Sequence, residues 1–165
     1  MVVSRGGGVV EKLRQYHKMA TVIGYGLMGS LLIFAAIVET LKATAFESPG
    51  FLSPSVLDVL RYVFLGLACI EFFVIRIIKN LILSRGGRTS TLSSQGDPSL
   101  TKVQKLFTAA IVSFAFCESV AIYGFVLFII GGSSLDFYLF AFLSLIFFAV
   151  YFPRYSQWEE WVNSN

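Results

Sequence analysis

Residues 107–130 read FTAAIVSFAFCESVAIYGFVLFII. A helix needs roughly 20 mostly apolar residues to cross a hydrocarbon core about 30 Å thick. This run supplies them, with one carboxyl group, Glu118, near its middle. A carboxyl at bilayer depth is costly, so it marks either a bonding partner or a task. One stretch therefore predicts both a membrane span and a candidate functional acid.

The rest of the chain follows the same pattern. Of its 165 residues, 56% are hydrophobic and only 14% charged, and 17 are Phe. A soluble domain of this length carries more charge and shows separated apolar stripes. Three further apolar blocks occupy residues 19–38, 56–75 and 135–152, the second interrupted by Asp58, Arg61 and Glu71. The expected fold is an all-α integral membrane protein, with four transmembrane helices arranged as two tandem, duplicated hairpins. The expected organisation is a flexible N-terminal stretch (1–10), a first hairpin (11–83), a polar linker (84–100), a second hairpin (101–153) and an interfacial tail (154–165). The glycine-rich start has no apolar core followed by a cleavage site, so the first helix is expected to serve as an uncleaved anchor.

Basic residues orient the chain. Arg5, Lys12, Arg14, Lys18, Arg76, Lys79, Arg85, Arg88, Lys102, Lys105 and Arg154 fall on one side of the predicted spans, and only Lys42 and Arg61 on the other. Both termini and the linker are therefore expected in the cytoplasm, with anionic lipid headgroups as partners of the basic rim. That membrane-flanking placement argues against nucleic acid. Cys69 and Cys117 lie inside spans, and His17 is the single histidine, so no metal site, cofactor or catalytic constellation is expected. His17 reads as an interfacial polar residue.

Turn chemistry marks the helix ends. Ser53-Pro54 and Asp97-Pro98 each read as an N-cap followed by proline at the first helical position. Glu47-Ser48-Pro49-Gly50 and Gly131-Gly132-Ser133-Ser134 read as the two turns. The hairpins align weakly with one another, pairing Gln15 with Gln104, Ala20 with Ala109, Ser30 with Ser119 and Ile33 with Ile122. That register matches Gly26-x-x-x-Ser30 to Ala115-x-x-x-Ser119, small residues that would let the first and third helices cross closely; such residues are also simply common in membrane helices. In the tail, Tyr155, Trp158 and Trp161 recur every three residues beside Glu159 and Glu160, as in an amphipathic interfacial anchor.

Candidate ion-binding residues gather around Glu118: the hydroxyls of Ser119 and Tyr123, and the second buried acid, Glu71. Desolvation favours the neutral acid, so Glu118 is expected to carry its proton. Glu71 either shares this site or leans toward Arg76 at the cytoplasmic boundary.

The string Glu118-Ser119-Val120-Ala121-Ile122-Tyr123-Gly124-Phe125-Val126 resembles the carboxylate helix of the ion-translocating proteolipid (c or K subunit) of F-type and V-type ATPases. The resemblance implies that Glu118 is a proton-binding carboxylate with Tyr123 near it, and that tandem hairpins are a natural architecture. A fourth helix follows the carboxylate helix here. The second and fourth helices also carry Phe64, Phe72, Phe73, Phe147, Phe148 and Tyr151, where the family has Gly and Ala. Two functions are therefore expected to compete. One is a structural or accessory subunit of a homo-oligomer or larger membrane complex, with Glu118 as a buried neutral acid. The other is a proton- or cation-translocating proteolipid-like protein.

Overall fold

The computed structural model describes residues 5–44, 53–84 and 98–164, and the side chains of 10–44, 53–82 and 102–162. The expected 47–50 turn, the Asp97 cap and most of the 84–100 linker lie outside the described residues. Five helices form: α1 (Arg5–Ala43), α2 (Pro54–Ser84), α3 (Pro98–Gly131), α4 (Ser134–Tyr151) and α5 (Tyr155–Ser164). The described residues contain no strand.

Three segments are long and apolar enough to cross a membrane: Val10–Ala43, Lys102–Gly131 and Ser134–Tyr151. Their outward faces are as apolar as the interior. Val22, Leu32 and Ile33 on α1, and Leu135, Phe142 and Val150 on α4, are all exposed. The chain is an all-helical integral membrane protein. α2 has 31 residues, about 46 Å at helical rise, yet Asp58, Arg61, Glu71, Arg76 and Lys79 keep it out of the apolar set.

α3 is the hub. α1, α2 and α4 each pack against it, whereas α1 and α2 pack little against one another. The first two helices therefore do not form a packed hairpin like α3 and α4, which corrects the picture of two equivalent hairpins. The physical reason lies in the side chains: α1 and α2 each find their polar and aromatic partners on α3 instead. Ring and hydrogen-bond partners fix the helix directions. Tyr16 meets Phe107 and Phe34 meets Phe125, so α1 runs parallel to α3. Phe64 meets Tyr123 and Glu71 meets Ser119, so α2 runs antiparallel to it. Arg61 with Asp136, and Phe72 with Phe147 and Tyr151, place α2 parallel to α4 along its whole length.

α1 turns Leu13, His17, Ala20, Gly24, Leu27, Leu31, Phe34 and Val38 inward, alternating steps of four and three. That heptad spacing is the seam of near-parallel, left-handed packing. Gly24 makes the close approach. A Cβ there would sit 2.9 Å from the Phe114 ring and 3.0 Å from that of Phe152.

α3 ends where the sequence places its turn. Gly132 takes φ 72°, and its N–H donates to Phe128 O at 2.8 Å, closing the helix in a left-handed cap. Pro54 opens α2, and Ser53 O accepts from the N–H groups of Val56 and Leu57. The Ser53 hydroxyl contacts Ser55 Oγ rather than capping a backbone N–H.

Candidate functional site

Three consecutive residues of α3 address three different helices. The Cys117 carbonyl accepts from Ser144 Oγ of α4 at 2.6 Å. The Glu118 carboxyl accepts from Ser30 Oγ of α1 at 2.6 Å. Ser119 Oγ donates to Glu71 Oε2 of α2 at 3.0 Å. A helix rotates about 100° per residue, so neighbours in sequence sweep round the hub onto successive partners. The carboxylate helix thus binds all three surrounding helices at one depth.

Glu71 has two donors. Tyr123, four residues beyond Ser119 on the same face, gives its phenol proton to the other carboxyl oxygen in a short bond. The Tyr123 ring stacks on Phe64 with centroids 5.0 Å apart, which holds the hydroxyl in place. Glu118 has one protein donor, Ser30. Both serines also lie within reach of the carbonyl one turn back on their own helix: Ser30 to Leu27 O at 2.6 Å and Ser119 to Phe116 O at 2.7 Å. Each hydroxyl has one proton, so carbonyl and carboxyl share it. Glu71, Glu118, Ser30, Ser119 and Tyr123 are all partly buried.

The predicted cluster thus forms, but as two half-sites. Ser119 and Tyr123 serve Glu71, not Glu118. The expected lean of Glu71 toward Arg76 is replaced by this hydroxyl pair. The sequence marks Ser30 only as a small packing residue, yet it is Glu118's hydrogen-bond partner. Gly26 and Ala115, the other two expected packing residues, are exposed, with open space around Gly26. The helix crossing uses Gly24 instead, because the heptad seam passes through position 24 and leaves 26 on the lipid side.

The opposite end of the bundle carries charges that sequence reading treats only as interruptions. Arg61 grips Asp136 through Nε at 2.7 Å and Nη2 at 2.8 Å, and reaches Asp58 through Nη1 at 2.9 Å. Asp136 is 3% exposed and sits in the first turn of α4, where a negative charge suits the helix dipole. On α1, Glu39 pairs with Lys42 at 3.0 Å and accepts from Tyr138 of α4.

At the other end, α5 folds back on α1. Trp158 is buried against His17, with ring centroids 5.3 Å apart, and Tyr155 meets the same imidazole at 5.4 Å. His17 Nε2 lies 3.2 Å from Pro153 O. Trp161 is partly buried against the same core. The expected interfacial anchors therefore also anchor the tail to the protein. Cys69 is exposed and Cys117 buried, and both are free thiols. No group of three or more His, Cys, Asp or Glu able to hold a metal occurs among the described residues.

No curated protein and no solved structure matches the chain. The family of the ATP synthase C-type subunit matches over residues 89–130, a segment that holds Glu118, Ser119 and Tyr123 and leaves α1, α2 and α4 outside it. Over that segment the chain is proteolipid-like.

Proposed function

We propose that this protein is a proteolipid-like component of a membrane assembly in which Glu118 carries a proton. The observation behind this reading is the setting of Glu118 itself. It lies mid-way along an apolar helix, inside the segment that matches the ATP synthase C-type family, and its hydrogen bond comes from Ser30 across a helix interface. An acid in apolar surroundings with one donor is most comfortable neutral, and it releases its proton when its exposure changes. The sequence motif names the acid, and the fold supplies an interface whose movement would change its surroundings.

α2 is taken as a fourth crossing helix. It runs antiparallel to α3, and it lies beside α4 from the Arg61–Asp136 pair to the Phe72–Tyr151 contact. Its charges are largely engaged: Arg61 with Asp58 and Asp136, Glu71 with two hydroxyls. Both termini and the linker are placed in the cytoplasm, the basic rim against anionic headgroups. The reading assigns the chain no catalytic chemistry of its own, and its partners are copies of itself or a larger membrane complex.

A second reading has its own support. Ser30–Glu118 and Ser119–Glu71 each tie two helices together, which is what polar glue in a structural subunit does. Glu118→Gln separates the two. Glutamine keeps the acceptor for Ser30, so glue survives, but it cannot carry a proton. The measurement is proton flux in liposomes containing the protein with its co-purifying assembly. The expected result is a well-folded variant whose flux is lost. Unchanged flux with Glu118→Gln overturns the proton-carrying role and leaves the structural subunit.

A further inference from the structure

Ser30 and Ser119 occupy matching positions in the aligned registers of α1 and α3, and the structure gives them the same local geometry. Each hydroxyl sits against the carbonyl three residues back, Leu27 O or Phe116 O, and each faces a carboxyl on an adjacent helix, Glu118 or Glu71. One serine arrangement therefore builds two acid sites on opposite sides of α3. They differ in one hydroxyl. Four residues beyond Ser119 stands Tyr123, which donates to Glu71. Four residues beyond Ser30 stands Phe34, whose ring has no hydroxyl and stacks on Phe125 with centroids 5.2 Å apart.

We propose that Glu71, held by Ser119 and Tyr123, is a second proton-exchanging carboxyl, held as the carboxylate while Glu118 holds the neutral acid. This rests on the reading of Glu118 as a proton carrier. A carboxylate is acceptor-only and is best matched by two donors, one per oxygen, which is what Glu71 has. A neutral acid offers one acceptor oxygen and one O–H, and a single serine that can accept as well as donate satisfies it, as Ser30 can. The ligand of both sites is a proton. The two acids face different helices, so a movement of α1 against α3 changes the surroundings of Glu118 and leaves those of Glu71 intact.

The other titratable groups around Glu71 do not supply a competing explanation. On α3 they are Tyr123 and the buried Cys117 thiol, and Glu118 faces away toward α1. On α4 it is Tyr151, whose hydroxyl is committed to Phe72 O at 2.7 Å. On α2 itself, Arg76 and Lys79 lie one and two turns on, and no ion pair to Glu71 forms among the described residues. Tyr123 is thus the group that sets the two sites apart.

Infrared spectra of the full chain in lipid nanodiscs at neutral pH test this, because protonated carboxyls give a carbonyl stretch separate from that of carboxylates. In the unsubstituted protein the neutral-carboxyl signal is expected to vanish with Glu118→Gln and persist with Glu71→Gln. Tyr123→Phe, which keeps the ring stacked on Phe64, is expected to add a second neutral-carboxyl signal that Glu71→Gln then removes. Ser119→Ala should act in the same direction. The proposal is overturned if Tyr123→Phe and Ser119→Ala both leave the spectrum unchanged, or if Glu71→Gln removes neutral-carboxyl signal from the unsubstituted protein. Failure of the Glu118 reading has a different signature: the Glu118→Gln spectrum keeps the neutral band, whatever the Tyr123 variant does.

Discussion

Glu118 and Ser119 are adjacent in the chain and belong to different sites, so neither can be understood from the motif that contains both. Ser30 is the residue that completes the first site. Removing its hydroxyl leaves Glu118 without its protein donor, while Leu27 O remains bonded within α1. Interhelical hydrogen bonds in membranes contribute about 0.6 kcal/mol on average and about 1.7 kcal/mol at most. Ser30→Ala is therefore expected to cost on the order of 1 kcal/mol, read as a modest shift in the denaturing-detergent unfolding midpoint with helix content kept. No shift would mean that the Ser30–Glu118 bond carries no net stability. Glu118 itself is legible from its apolar neighbours alone, because desolvation is a local property of sequence. Its partner is not. Ser30 lies far away in the chain, and small residues four apart signal only that backbones come close, not which oxygen a hydroxyl will face.

Helix packing separates two glycines that look alike in sequence. Gly124 is buried where α3 meets α4, and a Cβ built on it would lie 2.6 Å from Phe140 Cβ and 3.1 Å from Phe137 O. Backbone and Cβ atoms cannot swing aside as side-chain ends can, so Gly124→Ala forces the helices apart. The expected cost is about 1–3 kcal/mol, as for overpacking in a filled core. Gly26 has nothing within 4 Å of the same construction, so Gly26→Ala is expected to be neutral or slightly stabilising through better helix propensity. Thermal unfolding of both variants in the same detergent checks the contrast, and equal behaviour would refute the assigned packing. The helices themselves are readable from apolar block length, and the end of α3 from Gly132. The G-x-x-x-S pattern misplaces the crossing point because it takes no account of the seam. The inward series through Leu13, Ala20, Gly24, Leu31 and Val38 identifies Gly24, and that series can be counted in the sequence.

At the scale of the whole molecule, the charges divide by end. All three ion pairs among the described residues, Lys42–Glu39, Arg61–Asp58 and Arg61–Asp136, lie at the end where α1 stops and α4 starts. The two cations there are thus neutralised by acids, while the opposite end holds Lys12, Arg14, Lys18, Arg76, Lys79, Lys102, Lys105 and Arg154. Pairing sharpens the asymmetry that basic-residue counting alone implies, and the counting could not reveal it, because Asp58 and Asp136 are far apart in sequence and meet only through Arg61. The consequence is a definite topology. With four crossings, Ser53 ahead of α2 and Ser133 between α3 and α4 lie on the outer side, and Ser156 in α5 lies on the cytoplasmic side. With α2 left uncrossed, Ser53 and Ser133 fall on opposite sides. Single cysteines at these three positions, probed in intact cells with a membrane-impermeant maleimide after Cys69→Ser, decide between the two. Labelling is expected at Ser53→Cys and Ser133→Cys without permeabilisation, and at Ser156→Cys only after it. Ser53→Cys and Ser133→Cys reacting from different sides would remove α2 from the set of spans. That result would also place Glu71 outside the hydrocarbon layer, where an acid with two hydroxyl partners needs no membrane function to explain it.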